Sequence, residues 1–130
     1  MGNGNQTNNN TMIAVIVFSA ILLFHWIADF VLQTDWQARN KSHNNRALLR
    51  HTATYAGVMT LLMWLFLLLP FENAIRFGII TFVVHTIQDY WTSRLNARLW
   101  AEKEVHYFFV SIGFDQWLHF VQLFLTFYLL

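Results

Sequence analysis

The sequence predicts an all-α integral membrane protein, a four-helix bundle with both termini on the non-cytoplasmic side. Of its 130 residues, 56% are hydrophobic and 12% are charged, whereas soluble domains carry about 25% charged residues. Four apolar stretches approach the roughly 20 residues that cross a bilayer as a helix. These predicted spans cover residues 12–33, 48–69, 74–93 and 107–130.

Composition also predicts what lies before and between the spans. Residues 1–11 are Asn, Gly, Gln and Thr without any charge and, beyond Met1, without an apolar anchor, so we expect a disordered polar tail. Residues 12–130 are expected to form one transmembrane domain. The only proline, Pro70, ends the second span and predicts a short turn over residues 69–73. Spans two and three should therefore form a tight hairpin.

The basic residues are distributed unevenly over the loops, which predicts the orientation. All but Arg76 lie in or beside the first and third loops: Arg39, Lys41, Arg46, Arg50, Arg94, Arg98 and Lys103. By the positive-inside rule these two loops are cytoplasmic. A net charge of +1 gives no indication of nucleic acid binding. The absence of cysteine excludes a disulfide scaffold, a thiolate metal site and a cysteine nucleophile.

Polar residues interrupt each apolar span at helical spacing. In span one, His25, Asp29 and Gln33 follow one another at intervals of four, which places them on one face of a helix. The other spans have similar faces, formed by His51 and Tyr55 in span two, by Gly78, Thr81, His85, Gln88 and Asp89 in span three, and by Ser111, Asp115, His119, Gln122 and Thr126 in span four. Ionisable residues are costly inside a membrane, so their repeated use favours function over helix packing alone.

These residues predict a metal site in the cytoplasmic half of the bundle. His and Asp residues one turn apart can bind the same ion, and four imidazoles with three carboxylates suffice for one ion or a bridged pair. The predicted ligands are His25, Asp29, His85, Asp89, Asp115 and His119, with His51 as a further ligand or a general acid/base. Nitrogen and oxygen donors suit zinc, manganese or iron. Gln33, Tyr55, Gln88 and Gln116 are predicted to orient the ligands or contact a substrate.

The first and third loops are predicted to differ in role. The first, TDWQARNKSHNNR, is basic and rich in amides. It either anchors the protein to anionic lipid headgroups or covers the polar faces, with Arg39, Lys41 or Arg46 neutralising a substrate phosphate. The third loop, residues 93–106, has spaced charges that predict a surface helix without a chemical role.

Several separate motifs carry a resemblance to a known family. HWIADFVLQTDWQARNKS, His51, HTIQDY and DQWLH resemble the small bacterial and phage membrane proteins grouped as domain-of-unknown-function family 3307. The residues that match its pattern are His25, Asp29, Gln33, Lys41, His51, His85, Asp89, Asp115, Gln116 and His119. The resemblance implies a bacterial inner membrane, or a host membrane for a phage protein, but no activity. A weaker likeness to membrane-bound metal-dependent hydrolases indicates a direction for the chemistry.

The leading hypothesis is an intramembrane metal-dependent hydrolase of a lipid-like phosphate or acyl ester. One or two divalent ions would activate water, His51 would act as ligand or general acid/base, and Lys41 or Arg46 would hold the phosphate. Iron-based oxidation of a lipid tail is a variant. A proton or metal-ion pathway ranks second, because the outer half of span one consists mainly of Ile, Val, Phe and Leu, and only Gln122 and Thr126 carry polarity outward in span four. A non-enzymatic membrane protein that acts on a host partner ranks third.

Overall fold

The computed structural model describes residues 3–66 and 68–130, and these form helices joined by turns. The elements are α1 (Asn3–Trp26), a π-helical segment (Ile27–Val31) that continues it, α2 (Asp35–Asn40), α3 (Asn45–Leu65), α4 (Phe71–Ala101) and α5 (Val105–Leu129). Helix α4 packs against both α3 and α5, and α1 contacts the same two helices. The short helix α2 packs on α3.

The first helix begins earlier than the sequence predicts. Residues 1–11 were expected to be a disordered tail, but α1 already begins at Asn3, and Gln6–Thr11 are helical and exposed. Met1 and Gly2 lie outside the described residues. Extending an existing helix adds one hydrogen bond per residue without a new nucleation cost. The apolar part of α1 therefore supports helical structure in the polar residues before it, which composition alone does not reveal.

The boundaries of the other helices also differ from prediction. Helix α4 begins at Phe71, directly after Pro70, so residues 71–73 belong to the helix and not to the turn. At its other end α4 continues to Ala101, so most residues of the predicted third loop belong to α4 and not to the separate surface helix that was expected. The first loop contains the helix α2, which was not predicted.

Two stretches, Gln6–Val31 and Val105–Leu129, are long and apolar enough to cross a membrane. Helices α3 and α4 carry more polar and charged residues, among them Arg50 and His51 in α3 and Asp89 and Arg94 in α4. All four long helices nevertheless expose large apolar side chains, such as Ile16, Leu61, Ile79 and Phe109. Exposed apolar surface of this extent is typical of proteins that contact lipid or a partner.

Along the helix axes, the interior between the helices is apolar at one end and polar at the other. These two ends are called the apolar half and the polar half. The apolar core lies at the end where α3 and α4 are joined, and includes Ile21, Phe24, Met59, Met63, Phe77 and Leu123. Towards the first and third loops, the same helices bury His, Asp and Thr residues instead. The predicted polar faces of α4 and α5 are buried at Gly78, Thr81, His85 and Asp89 and at Ser111, Asp115, His119, Gln122 and Thr126.

The close approach of α3 and α4 depends on Gly78. A Cβ atom at this position would lie 1.9 Å from Oγ1 and 3.2 Å from Cβ of Thr60. The Thr60 hydroxyl donates a hydrogen bond of 2.8 Å to the Ala56 carbonyl, so rotating it away would break this bond. We expect Gly78→Ala to lower the free energy of unfolding by about 1–3 kcal/mol, because the added methyl group overpacks the contact between α3 and α4.

Differential scanning fluorimetry of the purified protein would check the Gly78 prediction. Thr60→Ala in the Gly78→Ala background removes the hydroxyl and should restore most of the melting temperature. Gly57→Ala is the matched control, because a Cβ atom at residue 57 meets nothing within 4 Å. Since alanine has a higher helix propensity than glycine, this variant should be as stable as the wild type or slightly more stable. An unchanged melting temperature in Gly78→Ala would contradict the packing argument.

Candidate metal centre

Each long helix contributes buried ionisable side chains to one cluster in the polar half of the bundle. Its members are His25, Asp29, His51, His85, Asp89, Asp115 and His119. None of them is more than 9% exposed, and contacts of 3.0 to 3.7 Å between their side-chain nitrogen and oxygen atoms connect all seven. The structure thus brings together the groups that the sequence places at a common depth.

A change in helix type positions Asp29. The Leu32 N–H donates to the carbonyl of Ile27, five residues back, at 3.0 Å, so the chain here forms a wide π-helical turn. Asp29 lies buried at the centre of this turn. Such turns inside α-helices are frequent at functional sites. The helix ends at Val31, so Gln33 lies beyond it and not on the helical face that was predicted.

The first group of candidate ligands consists of Asp29, His51, His85 and Asp89. The Nε2 atom of His51 lies 3.0 Å from Asp29 Oδ1, 3.3 Å from Asp89 Oδ2 and 3.4 Å from His85 Nε2. The His85 Nε2 atom is 3.7 Å from Asp29 Oδ1 and 3.8 Å from Asp89 Oδ2. Four donors bound tetrahedrally at about 2.0–2.1 Å lie roughly 3.3 Å apart. The spacing of these atoms therefore suits one small divalent ion.

The two oxygens of Asp89 face different groups. While Oδ2 belongs to the first group, Oδ1 lies 3.4 Å from His119 Nε2, and Asp89, Asp115 and His119 form a second group of candidate ligands. His119 Nδ1 lies 2.7 Å from the Asp115 main-chain oxygen. A carbonyl only accepts, so Nδ1 carries a proton, and in the neutral ring this leaves Nε2 as the nitrogen that could bind a metal ion. Asp89 thus belongs to both groups of candidate ligands.

Three buried atoms of the two groups, Asp29 Oδ1, Asp115 Oδ1 and His119 Nε2, make no regular hydrogen bond to the described residues, although each lies 3.0 to 3.5 Å from an ionisable group of the cluster. Leaving a buried polar atom unpaired costs about 1–3 kcal/mol, and more for a charged one. Coordination of a cation would satisfy all three. The buried His and Asp groups can therefore hold a divalent metal ion, and their nitrogen and oxygen donors fit the predicted set of zinc, manganese or iron.

His25 lies outside both groups of candidate ligands, although the sequence predicts it as a ligand. Its Nδ1 atom is 2.7 Å from the Tyr55 hydroxyl and its Nε2 atom is 2.9 Å from Oε1 of Gln116. Both ring nitrogens are thus hydrogen-bonded. The Tyr55 ring also stacks on His85 at 3.9 Å between ring centroids. Tyr55 therefore contacts two imidazoles, which fits an orienting role, and His51 takes the place in the first group that was expected for His25.

Lys41 enters the first group from the loop after α2. Its Nζ atom donates a hydrogen bond of 2.8 Å to Asp89 Oδ2 and lies 3.4 Å from His51 Nε2. Burial alone would lower the pKa of Lys41, but the carboxylates of Asp89 and Asp29 outweigh it and raise that pKa above its ordinary value. A permanent positive charge therefore lies beside the candidate ligands.

Capping interactions at both ends of the first loop hold Lys41 in this place. Thr34 and Gln37 form a reciprocal capping box at the start of α2, and Asn44 caps the start of α3 through the N–H groups of Arg46 and Ala47. The buried Gln37 was not singled out by the sequence, although the spacing of three residues between Thr34 and Gln37 is a recognisable signal. The loop is thus a structured cover over the cluster.

The remaining predicted residues are distributed as follows. Gln33 and Gln116 line a small polar cavity together with Asp29 and Asp115. Gln88 faces a different groove between α4 and α5, away from the candidate ligands. Arg46 is exposed at the first turn of α3. Ser93 and Asn96, four and seven residues after Asp89, were missed, although this spacing places them on the Asp89 face of α4.

The hydrogen bond between Tyr55 and His25 can be tested directly. Tyr55→Phe removes only the hydroxyl and leaves the buried His25 Nδ1 atom without its partner. We expect a loss of about 1–3 kcal/mol in stability, measured as a lower melting temperature. Tyr128→Phe is the control, because Tyr128 is 85% exposed. Equal melting temperatures for the two variants would contradict the proposed contribution of this bond.

The comparison with known proteins agrees with the resemblance seen in the sequence. The family described as "Protein of unknown function (DUF3307)" matches residues 17–130, which include the whole cluster, the first loop and the candidate ligands. No curated protein and no solved structure matches the chain, and the weaker likeness to metal-dependent hydrolases is not confirmed. Because the match covers most of the sequence, the chain belongs to the DUF3307 family.

Proposed function

We propose that the protein is an intramembrane metal-dependent hydrolase that acts on a phosphate or acyl ester of a lipid-like substrate. The observation that carries this proposal is the position of Asp89, whose two oxygens face two adjacent groups of candidate ligands. Pairs of metal ions about 3.5–4 Å apart serve hydrolysis in phosphatases and aminopeptidases, and Asp89 would contribute a ligand to both ions of such a pair. Simple helix packing would not require three carboxylates and four imidazoles in one buried cluster.

The surface of the bundle supports a lipid environment with four spans. Large apolar side chains are exposed along all four long helices, while the seven His and Asp residues of the cluster are buried between them. This arrangement reverses that of a soluble helical bundle. The basic first and third loops at one end support an orientation with both termini on the other side. The site would then lie near the cytoplasmic surface of the membrane, within reach of lipid headgroups.

The residues of this chain divide into three roles in the proposed reaction. The metal would be held by the members of the two groups of candidate ligands: Asp29, His51, His85, Asp89, Asp115 and His119. A divalent ion, when bound, supplies a nucleophilic water at neutral pH and offsets negative charge on the ester. Tyr55 and Gln116 keep His25 oriented beside the site. Lys41 would leave Asp89 to contact a substrate phosphate. Hydrolysis adds water across the ester bond, and the alcohol leaves with a proton.

Activity in lipid nanodiscs would test the proposal. Purified protein would be loaded with zinc, manganese or ferrous iron and assayed with fluorogenic long-chain phosphate and acyl esters. We expect one metal to support turnover and Asp89→Asn to lower the rate by at least about a hundredfold, because it affects both groups of candidate ligands. Asp35→Asn, in the exposed first turn of α2, is the control. Absence of metal-dependent turnover for both ester classes would refute a hydrolase.

A cation pathway is the second candidate. One observation favours it: Gln122 donates hydrogen bonds to Thr81 and Thr126, so buried polar groups continue from His119 into the apolar half. Against it, the apolar core of Ile21, Met59, Phe77 and their neighbours fills that half of the bundle. Proteoliposomes that carried protons or divalent ions at rates reduced by Asp89→Asn would favour the pathway over the hydrolase.

A further inference from the structure

An open groove lies beside the candidate metal centre, between the first loop, the C-terminal part of α4 and the start of α5. Its volume is about 520 Å³, within the range of sites that hold small ligands. Trp100, Phe108, Phe109 and Ile112 provide an apolar wall. Lys41 and other polar residues line the end of the groove that lies nearer the candidate ligands.

The groove adjoins a smaller polar cavity at the centre. This cavity measures about 150 Å³, and its walls include the carboxylates of Asp29 and Asp115. Three residues, Lys41, Asn96 and Ile112, line both the groove and the cavity. A molecule seated in the groove would therefore contact side chains that also line the cavity of the candidate centre.

Unpaired polar atoms mark the junction as a binding site. Ser93 Oγ and Asn96 Oδ1 in the groove wall, and Gln33 Oε1 in the cavity wall, are buried and have no hydrogen-bond partner among the described residues. Two of the three are amide oxygens, which accept hydrogen bonds. They accept hydrogen bonds from donors such as hydroxyl groups, whereas the ammonium of Lys41, paired here with Asp89, can bind an anion in place of that carboxylate.

We propose that the groove binds an anionic amphiphile with a single hydrocarbon chain and a hydroxylated phosphate headgroup. The chain would pack on Trp100 and Phe108, the phosphate would lie beside Lys41, and headgroup hydroxyls would donate to Asn96 and Gln33. This inference rests on the proposed function, because it assigns the substrate class of the same site. The Lys41 ammonium beside an apolar wall of Trp100 and Phe108 favours this occupant over a protein segment.

A second groove on the molecule provides an internal control. It lies between α3 and α4, has a volume of about 550 Å³, and is lined by Ala, Gly and large apolar residues with Thr60 but without a charged side chain. A non-specific hydrocarbon would enter both grooves, whereas an anionic amphiphile should prefer the one beside Lys41. Ala97→Trp would fill the groove beside Lys41, and Gly57→Trp would fill the other.

Photolabelling in nanodiscs tests the inference without requiring turnover. The probe is a single-chain alkyl phosphate with a diazirine near the chain end, and labelled peptides are mapped by mass spectrometry. We expect label on residues 93–100 and 105–112, with dodecyl phosphate competing at least about tenfold better than dodecanol or inorganic phosphate. Ala97→Trp should abolish this labelling and Gly57→Trp should not. Lys41→Met should keep the label but reduce the preference for dodecyl phosphate over dodecanol.

The outcomes separate this inference from the proposed function. Label spread evenly over both grooves, or unaffected by Ala97→Trp, would overturn the assignment of the groove. Competition by dodecanol as effective as that by dodecyl phosphate would overturn the anionic headgroup. Specific labelling in a protein that binds no metal and hydrolyses no ester would support the groove as an amphiphile site while refuting the hydrolase.

Discussion

Asp89→Asn is expected to abolish metal binding at both groups of candidate ligands. The substitution keeps the shape of the side chain but removes the charge that faces His51 on one side and His119 on the other. Changes to groups that merely orient metal ligands cost about 10–100-fold in affinity, so loss of a shared ligand should cost more than about a hundredfold. Metal content of the protein in nanodiscs, measured by mass spectrometry after equilibration with each metal, gives the result.

Two further variants distinguish one ion from two. Asp29 belongs only to the first group and Asp115 only to the second. If two ions bind, Asp29→Asn and Asp115→Asn should each lower the content to about one ion per chain, whereas Asp89→Asn should leave less than about a tenth. Asp35→Asn should change nothing. Metal content in Asp89→Asn equal to that of the wild type would remove the basis of the proposed function.

Lys41→Met is expected to raise metal affinity while impairing the use of a phosphate substrate. The ammonium lies 2.8 Å from Asp89 Oδ2, where it competes with an incoming cation for the same oxygen. Two unit charges 4 Å apart interact by about 4 kcal/mol at an effective dielectric constant near 20. Because the flexible Lys41 side chain can move away when a cation binds, we expect the substitution to recover only part of this repulsion energy. The expected gain in metal affinity is roughly tenfold.

Isothermal titration of the metal into the Lys41→Met variant would measure this gain. Arg39→Met removes an exposed positive charge from the same loop and is the matched control. Hydrolysis of a phosphate ester should fall in Lys41→Met, while that of an uncharged acyl ester should be retained. Weaker metal binding in the variant would instead mean that Lys41 keeps the carboxylates in place.

The sequence predicts the buried polar faces well because helical periodicity determines them. In α5 the residues from Ser111 to Thr126 that were assigned to one face are all buried, and in α4 His85 and Asp89 are buried one turn apart. The four-residue spacing also brings His119 beside Asp115. Such regular elements can be predicted because each position follows from the repeat of 3.6 residues.

Other features depend on tertiary structure and could not be predicted in this way. The π-helical turn at Ile27–Val31 is a local irregularity without a sequence signature, and it places Gln33 beyond the end of the helix. The position of Lys41 depends on a loop that is fixed by the caps at Thr34 and Asn44. His25 and His51 both looked like ligands, and only the hydrogen bonds of Tyr55 and Gln116 distinguish them.

The contact between Lys41 and Asp89 has a consequence for electroneutrality. When the carboxylates of Asp29, Asp89 and Asp115 are ionised and the imidazoles are neutral, the three carboxylates and the Lys41 ammonium together carry a net charge of two negative units. One divalent cation would balance this charge. A second cation with Lys41 in place would leave two positive charges in a medium of low polarity, which is costly. An anionic headgroup would offset that excess, so the second cation and the amphiphile would enter the bundle together.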